Sequence, residues 1–163
     1  TPEKMPAAIQ ELQSTIGMEM TGLDISVSYI LGHNLSAIFF IMLAGLFSFS
    51  VLGLLLYVMN TGLIGVALAL APFVGFSPAS LLLTGILPHG IFEIPAVIIS
   101  TAAVLQMGAV LVTPTTLKTM GDVMLECLAD WLKVTLGLVL PLLLLAAVIE
   151  TYVTPALLLS SMR

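Results

Sequence analysis

Between Asp24 and Glu93 the chain carries no Asp, Glu, Lys or Arg, and that gap constrains the fold more than any motif does. About 20 consecutive apolar residues take a helix across the roughly 30 Å hydrocarbon core of a bilayer, so the gap is long enough for two crossings or more. Composition agrees. The chain is 60% hydrophobic and 8% charged, with a mean hydropathy of +1.21, whereas a soluble domain keeps about a quarter of its residues charged. Lipid cannot hydrogen-bond a bare backbone, so only helices and closed barrels cross it. The runs of Leu, Ile, Ala, Gly and Met lack the two-residue alternation of barrel strands. The expected fold is therefore all-α, a polytopic transmembrane helix bundle.

Several functions drop out at once. Four Lys and Arg residues cannot supply the basic footprint that nucleic-acid binding needs. Cys127 is the sole cysteine, which excludes an intrachain disulfide and a cysteine-based metal cluster. The chain starts at Thr1 without a signal-peptide pattern, which reads as a processed or truncated form. The expected partners are membrane lipids and other membrane proteins, in a complex or a homo-oligomer.

Residues 1–30 carry Met5, Ile9, Leu12, Ile16, Met20, Leu23 and Val27 at spacings of four and three, with Glu3, Glu11, Glu19 and Asp24 off that stripe. This predicts an N-terminal amphipathic helix, lying at the membrane interface or docked on a partner. Residues 31–150 form the expected transmembrane domain. A first span is read at 35–58, opened by His33–Asn34 as a helix start. Asn60-Thr61-Gly62 then reads as a tight turn, with Gly65 beyond it marking a close helix contact. A short apolar piece follows at 62–75. A half-helix is read at 78–87 and a longer span at 88–112, with the helix broken or kinked near Pro88. The stretch from Asp122 to Lys133 is amphipathic, with Trp131 as an interfacial aromatic, and it leads into a last span at 133–150. Residues 151–163 form a tail. Lys118 and Lys133 flank the last loop and assign it to the cytoplasm, which places the acidic N-terminal helix outside.

The sharpest chemical feature is Leu87-Pro88-His89-Gly90-Ile91-Phe92-Glu93-Ile94-Pro95. His89 and Glu93 stand four apart and share one helix face, deep in an apolar stretch where ionisable groups are costly unless compensated. Pro88 and Pro95 disturb the helix around them, since each withholds an N–H from the carbonyl four residues back. The predicted intramembrane polar site is thus His89 and Glu93, shaped by Pro88, Gly90 and Pro95 and supported by His33, Asn34 and Asn60. One reading is a His–Glu bond that fastens helices together. A second is a permeation or divalent-metal site, with His89 and Glu93 as two ligands and His33, Asp122, Glu126 or Asp130 completing the set. A third is an intramembrane metal-dependent hydrolase, for which no His-Glu-x-x-His or Gly-x-Ser-x-Gly pattern is present. No cofactor is expected beyond such a metal.

The run from Gly85 to Ala96, with Asn34, Gly45, Gly53 and Asn60-x-Gly62-x-x-Gly65 before it, resembles the stage II sporulation protein M family over roughly residues 30–150. The resemblance implies a multi-pass helical protein of a bacterial or archaeal plasma membrane. In spore formers such proteins anchor a complex with a peptidoglycan hydrolase and an amidase, whereas most relatives occur in organisms that do not sporulate. His89 and Glu93 match the family's paired polar positions. Relatives usually carry one more span ahead of the segment corresponding to residues 1–30. The function so implied is a non-enzymatic scaffold or complex subunit; the alternative is a transporter or ion-binding permease component built on His89 and Glu93.

Overall fold

A computed structural model describes residues 26–75, 77–113 and 118–161. The expected amphipathic helix at the N-terminus lies outside these residues. Everything regular among the described residues is helical, and four helices are long and apolar enough to cross a membrane. These are α1 (Val27–Phe47), α2 (Val51–Leu70, tightening into a 3-10 turn at Ala71–Val74), α3 (Pro78–Leu111) and α4 (Met120–Tyr152). A short helix α5 (Thr154–Ser161) follows.

The boundaries differ from the reading above at the first span. Residues 35–58 do not form one helix, because the chain reverses at Ser48–Ser50. Helix α1 opens at Ser26, whose hydroxyl accepts from Tyr29 N–H, so His33 and Asn34 stand inside the helix and do not cap it. Phe49 and Ser50 both take left-handed φ angles, 51° and 73°, a conformation that costs a non-glycine residue about 1–2 kcal/mol. Tertiary contact holds them there. Ser50 Oγ–H donates to the carbonyl of Val104 on α3 at 2.5 Å, and the turn lies over Gly108, where a Cβ would overlap Ser50 Oγ and come within 2.7 Å of Phe49 O. Gly45 and Gly53 are equally confined: a Cβ on the first would overlap Val104, and a Cβ on the second would lie 2.7 Å from the Ile41 carbonyl oxygen. With the reversal at 48–50, Asn60-Thr61-Gly62 falls inside α2. It forms no tight turn, and Gly62 and Gly65 face open space.

Helix α3 runs unbroken through Pro88. The disturbance expected there takes the form of a wide π turn at Leu81–Ile86, which ends two residues before the proline. Helix α4 contains a second π turn at Thr135–Val139, again two residues before a proline, Pro141. In both places the wide turn accommodates a ring that would clash with the preceding turn of a regular α-helix.

At 34 and 33 residues, α3 and α4 are each about 50 Å long, well beyond the hydrocarbon thickness. Their surplus length forms an arm in which Val123 and Trp131 of α4 are buried in one cluster with Met107 and Leu111 of α3. The arm's helix opens with a capping box in which Thr119 and Asp122 satisfy each other's backbone N–H groups. Trp131 is buried against the bundle. Below the arm the core is Ile38, Ile41 and Met42 of α1, Ala96 and Val104 of α3, and Val139 and Leu143 of α4. Much of the rest of the apolar surface is exposed, α2 above all, as expected of helices whose outer faces meet lipid.

Candidate functional site

Halfway along α3 the apolar wall gives way to a polar one. Glu93 stands 15 residues from Pro78 and 18 from Leu111, which places it over 20 Å from either end of the helix. His89 lies one turn earlier on the same face, with Nε2 at 3.9 Å from Glu93 Oε2. That separation is too long for a hydrogen bond; the two groups flank a gap. The other ring nitrogen, Nδ1, lies 3.4 Å from Thr154 Oγ1, and Thr154 is buried at the start of α5. The imidazole is thereby held from behind, and Nε2 faces the carboxylate.

The third member of the cluster comes from α4. Glu150 brings a carboxylate oxygen to the pair, so that one ligand atom each from His89, Glu93 and Glu150 all lie within 4.8 Å of one another. These three side chains line a cavity of about 510 Å³ between α1, α2, α3 and α4. Its other polar lining is Tyr29, His33 and Asn34 from α1 and Tyr57, Asn60 and Thr61 from α2. Among the described residues no Lys or Arg lines the chamber. Two carboxylates brought together in a half-buried setting are costly unless compensated, and hydration, the two imidazoles or a cation would supply that compensation.

The residues expected from the sequence thus separate into three groups. His33, Asn34, Asn60, His89 and Glu93 share one chamber. Pro88, Gly90 and Pro95 do not line it, and they belong to the framework of α3. Asp122, Glu126 and Asp130 lie on the arm, where Glu126 accepts from Lys118 Nζ at 2.6 and 2.7 Å and Asp130 from Lys133 Nζ at 2.8 Å. They contribute nothing to the cluster. Glu150 and Thr154 were missed by sequence reasoning. A lone carboxylate closing the apolar run 134–149 was the available signal for Glu150, but only packing brings it to His89.

Polar groups continue beyond the chamber floor. Ser100 and Thr101 lie two turns past Glu93 on α3, and Thr135 opens the π turn of α4; all three are buried and their hydroxyls have no partner. Other hydroxyls in or at the ends of the bundle's helices bond to the carbonyl four residues back: Ser36 to Gly32, Ser48 to Ala44, Thr113 to Ala109 and Thr151 to Ala147. Ser100, Thr101 and Thr135 forgo that bond, although buried polar groups are rarely left unsatisfied. Asn34 Nδ2, at the chamber, is buried without a partner as well.

Comparison with known proteins now bears on this geometry. The model of the family described as stage II sporulation protein M matches residues 4–155. The chain belongs to that family. Within the stage II sporulation protein M family it is 34% identical, over 126 residues, to an uncharacterized protein of Methanocaldococcus jannaschii; the alignment covers 77% of this chain and 69% of that one. No solved structure matches the chain. Family membership and four apolar helices together establish a membrane protein.

Proposed function

We propose that this stage II sporulation protein M relative is a non-enzymatic permease component that binds a cation within its bundle and passes it along. The observation that supports it is the convergence of His89, Glu93 and Glu150, from two helices, in a chamber halfway along α3 that, among the described residues, no Lys or Arg lines. A purely structural pair would be closed and mutually hydrogen-bonded; here the groups stand apart around open volume. Ionisable residues so placed mark ion paths in membrane proteins. The unpartnered hydroxyls of Ser100, Thr101 and Thr135 extend the polar route toward the arm, and Ile38, Ile41, Val139 and Leu143 form an apolar plug that keeps that half shut. The bilayer concerned is the plasma membrane of a bacterium or archaeon, and the archaeal relative supports that placement.

The experiment is flux in proteoliposomes. Purified protein is reconstituted, and uptake is followed with pyranine for protons and with a chelating dye for Zn²⁺ or Mn²⁺. Wild-type vesicles should exceed protein-free ones for at least one probe, and Glu93→Gln or Glu150→Gln should reduce that flux at least tenfold. Wild-type vesicles no faster than empty ones for every probe would overturn the proposal.

A second reading, scaffold or complex subunit, is favoured by the amphipathic arm. Met120–Val134 buries Val123 and Trp131 and leaves Glu126 and Asp130 exposed, a charged surface beyond the bilayer on which a partner could dock. Under that reading His89→Ala and Glu93→Ala chiefly lower the folded yield, and a partner co-purifies from native membrane.

A further inference from the structure

We propose that His89, Glu93 and Glu150 are a divalent transition-metal site, with the imidazole nitrogen and one oxygen of each carboxylate as ligands and the chamber side left open. This names the cargo class of the permease reading, on which it rests only for the idea that the bound ion moves.

Four observations lead there. The first is spacing. In a tetrahedral site with ligand bonds of about 2.0–2.2 Å, ligand atoms lie about 3.3–3.6 Å apart. His89 Nε2 and Glu93 Oε2 are 3.9 Å apart, and all three donors fall within 4.8 Å. The distance left to close is of the order that a glutamate carboxylate covers by rotation about its own side-chain bonds.

The second is orientation of the histidine. Metal-bound imidazoles almost always give their other N–H to an oxygen acceptor, which fixes the tautomer. Thr154 Oγ1 occupies that position behind Nδ1, from a residue that is 6% exposed. With Nδ1–H donating to Thr154, the Nε2 lone pair faces the Glu93 carboxylate. Two lone-pair donors then face a common gap, the arrangement a bound cation requires of its ligands.

The third is charge. Glu93 and Glu150 have no Lys or Arg at hand among the chamber's lining residues, so a divalent ion would neutralise the pair. The fourth is donor type. One imidazole and two carboxylates suit Zn²⁺, Mn²⁺ or Fe²⁺, whereas Mg²⁺ and Ca²⁺ favour oxygen donors alone. Water from the chamber would complete the coordination, as in sites that keep one position open.

The test uses the whole chain in lipid nanodiscs, stripped with chelator. Zn²⁺ is titrated and bound metal is counted against protein, and Co²⁺ is used for its visible absorption. One metal per chain is expected, with a Co²⁺ spectrum of tetrahedral intensity. His89→Gln, Glu93→Gln and Glu150→Gln should each weaken binding more than tenfold while circular dichroism stays unchanged. Thr154→Val, which touches no metal, should weaken it about 10–100-fold. Substoichiometric Zn²⁺ in the wild-type protein, or Glu150→Gln binding as tightly as wild type, would overturn the assignment. Proton flux that depends on Glu93 in a protein that binds no Zn²⁺ would sink the metal site and leave the permease reading standing. Stoichiometric Zn²⁺ without flux of any probe would do the reverse.

Discussion

Replacing Gly108 by alanine tests how the bundle holds its chamber. The added methyl would overlap Ser50 Oγ and lie 2.7 Å from both Phe49 O and Ser50 Cβ. Backbone lies on one side and a short, bonded side chain on the other, so nothing flexible is available to yield. The α1–α2 turn must lift from α3, and the Ser50–Val104 hydrogen bond breaks. Overpacking costs about 1–3 kcal/mol, and the lost hydrogen bond a further 0.5–1.5 kcal/mol or so, giving roughly 2–4 kcal/mol in all. Equilibrium unfolding in mixed detergent and SDS reads this directly, because the sole tryptophan, Trp131, is buried where α4 packs on α3. Ser50→Ala alone should cost only about 1 kcal/mol. Ser50→Gly removes part of the clash and relaxes the left-handed backbone, so Gly108→Ala should cost less in that background, with a coupling of about 0.5 kcal/mol or more. An unchanged midpoint for Gly108→Ala, or an equal cost in both backgrounds, would refute the close-approach argument.

Other substitutions separate contact from mere burial. Gly90→Ala should be neutral or stabilise by up to about 1 kcal/mol, although Gly90 is buried, because a methyl there meets only ordinary contacts at 3.7 and 3.8 Å; the same unfolding assay decides. Thr119→Ala removes the capping box of α4 and should cost about 1 kcal/mol, visible as earlier amide exchange in the arm than in the span. The hydrogen bond and charge of Glu126 hold the Lys118 ammonium above the usual lysine range. A raised folded value means that the pair's contribution is complete at neutral pH and is lost only as pH rises through that value. Since both groups are exposed, Glu126→Gln should change stability little at pH 7 and less still in high salt, as unfolding at two ionic strengths would show.

The membrane class and the His89–Glu93 face were legible because both follow from local spacing: a long interval without charge, and two ionisable groups one helical turn apart. The reversal at Ser48–Ser50 was not. Phe-Ser-Phe-Ser has no glycine, proline or asparagine to signal a turn, and its left-handed residues are held by Val104 and Gly108, more than fifty positions away. Moving that turn altered everything nearby, turning His33–Asn34 from a helix start into chamber lining and Asn60-Thr61-Gly62 from a loop into helix. Glu150 was illegible for a related reason, since its role depends on which face of α4 meets α3. Gly45 and Gly53 could be marked as small positions, but only the packed bundle distinguishes them from Gly62 and Gly65, where an added Cβ would meet nothing within 4 Å among the described residues.

The wide turn at Thr135–Val139 bears on which length changes the chain can accept. At about 100° per residue, Trp131 and Val139 would point about 80° apart on a regular α-helix. The extra residue held by a π turn cancels most of that angle, and both side chains face the core, Trp131 at 8% and Val139 at 0% exposure. Deleting a single residue between 135 and 139 would therefore let the wide turn relax into regular α-helix. Seven residues at about 100° each would then separate Trp131 from Val139, leaving them about 20° apart on the same face. A deletion in the regular helix on either side has no such slack and would swing one part of the rod against the other by about 100°. Descendants of such a chain can lose a residue at this one internal turn more freely than elsewhere along α4.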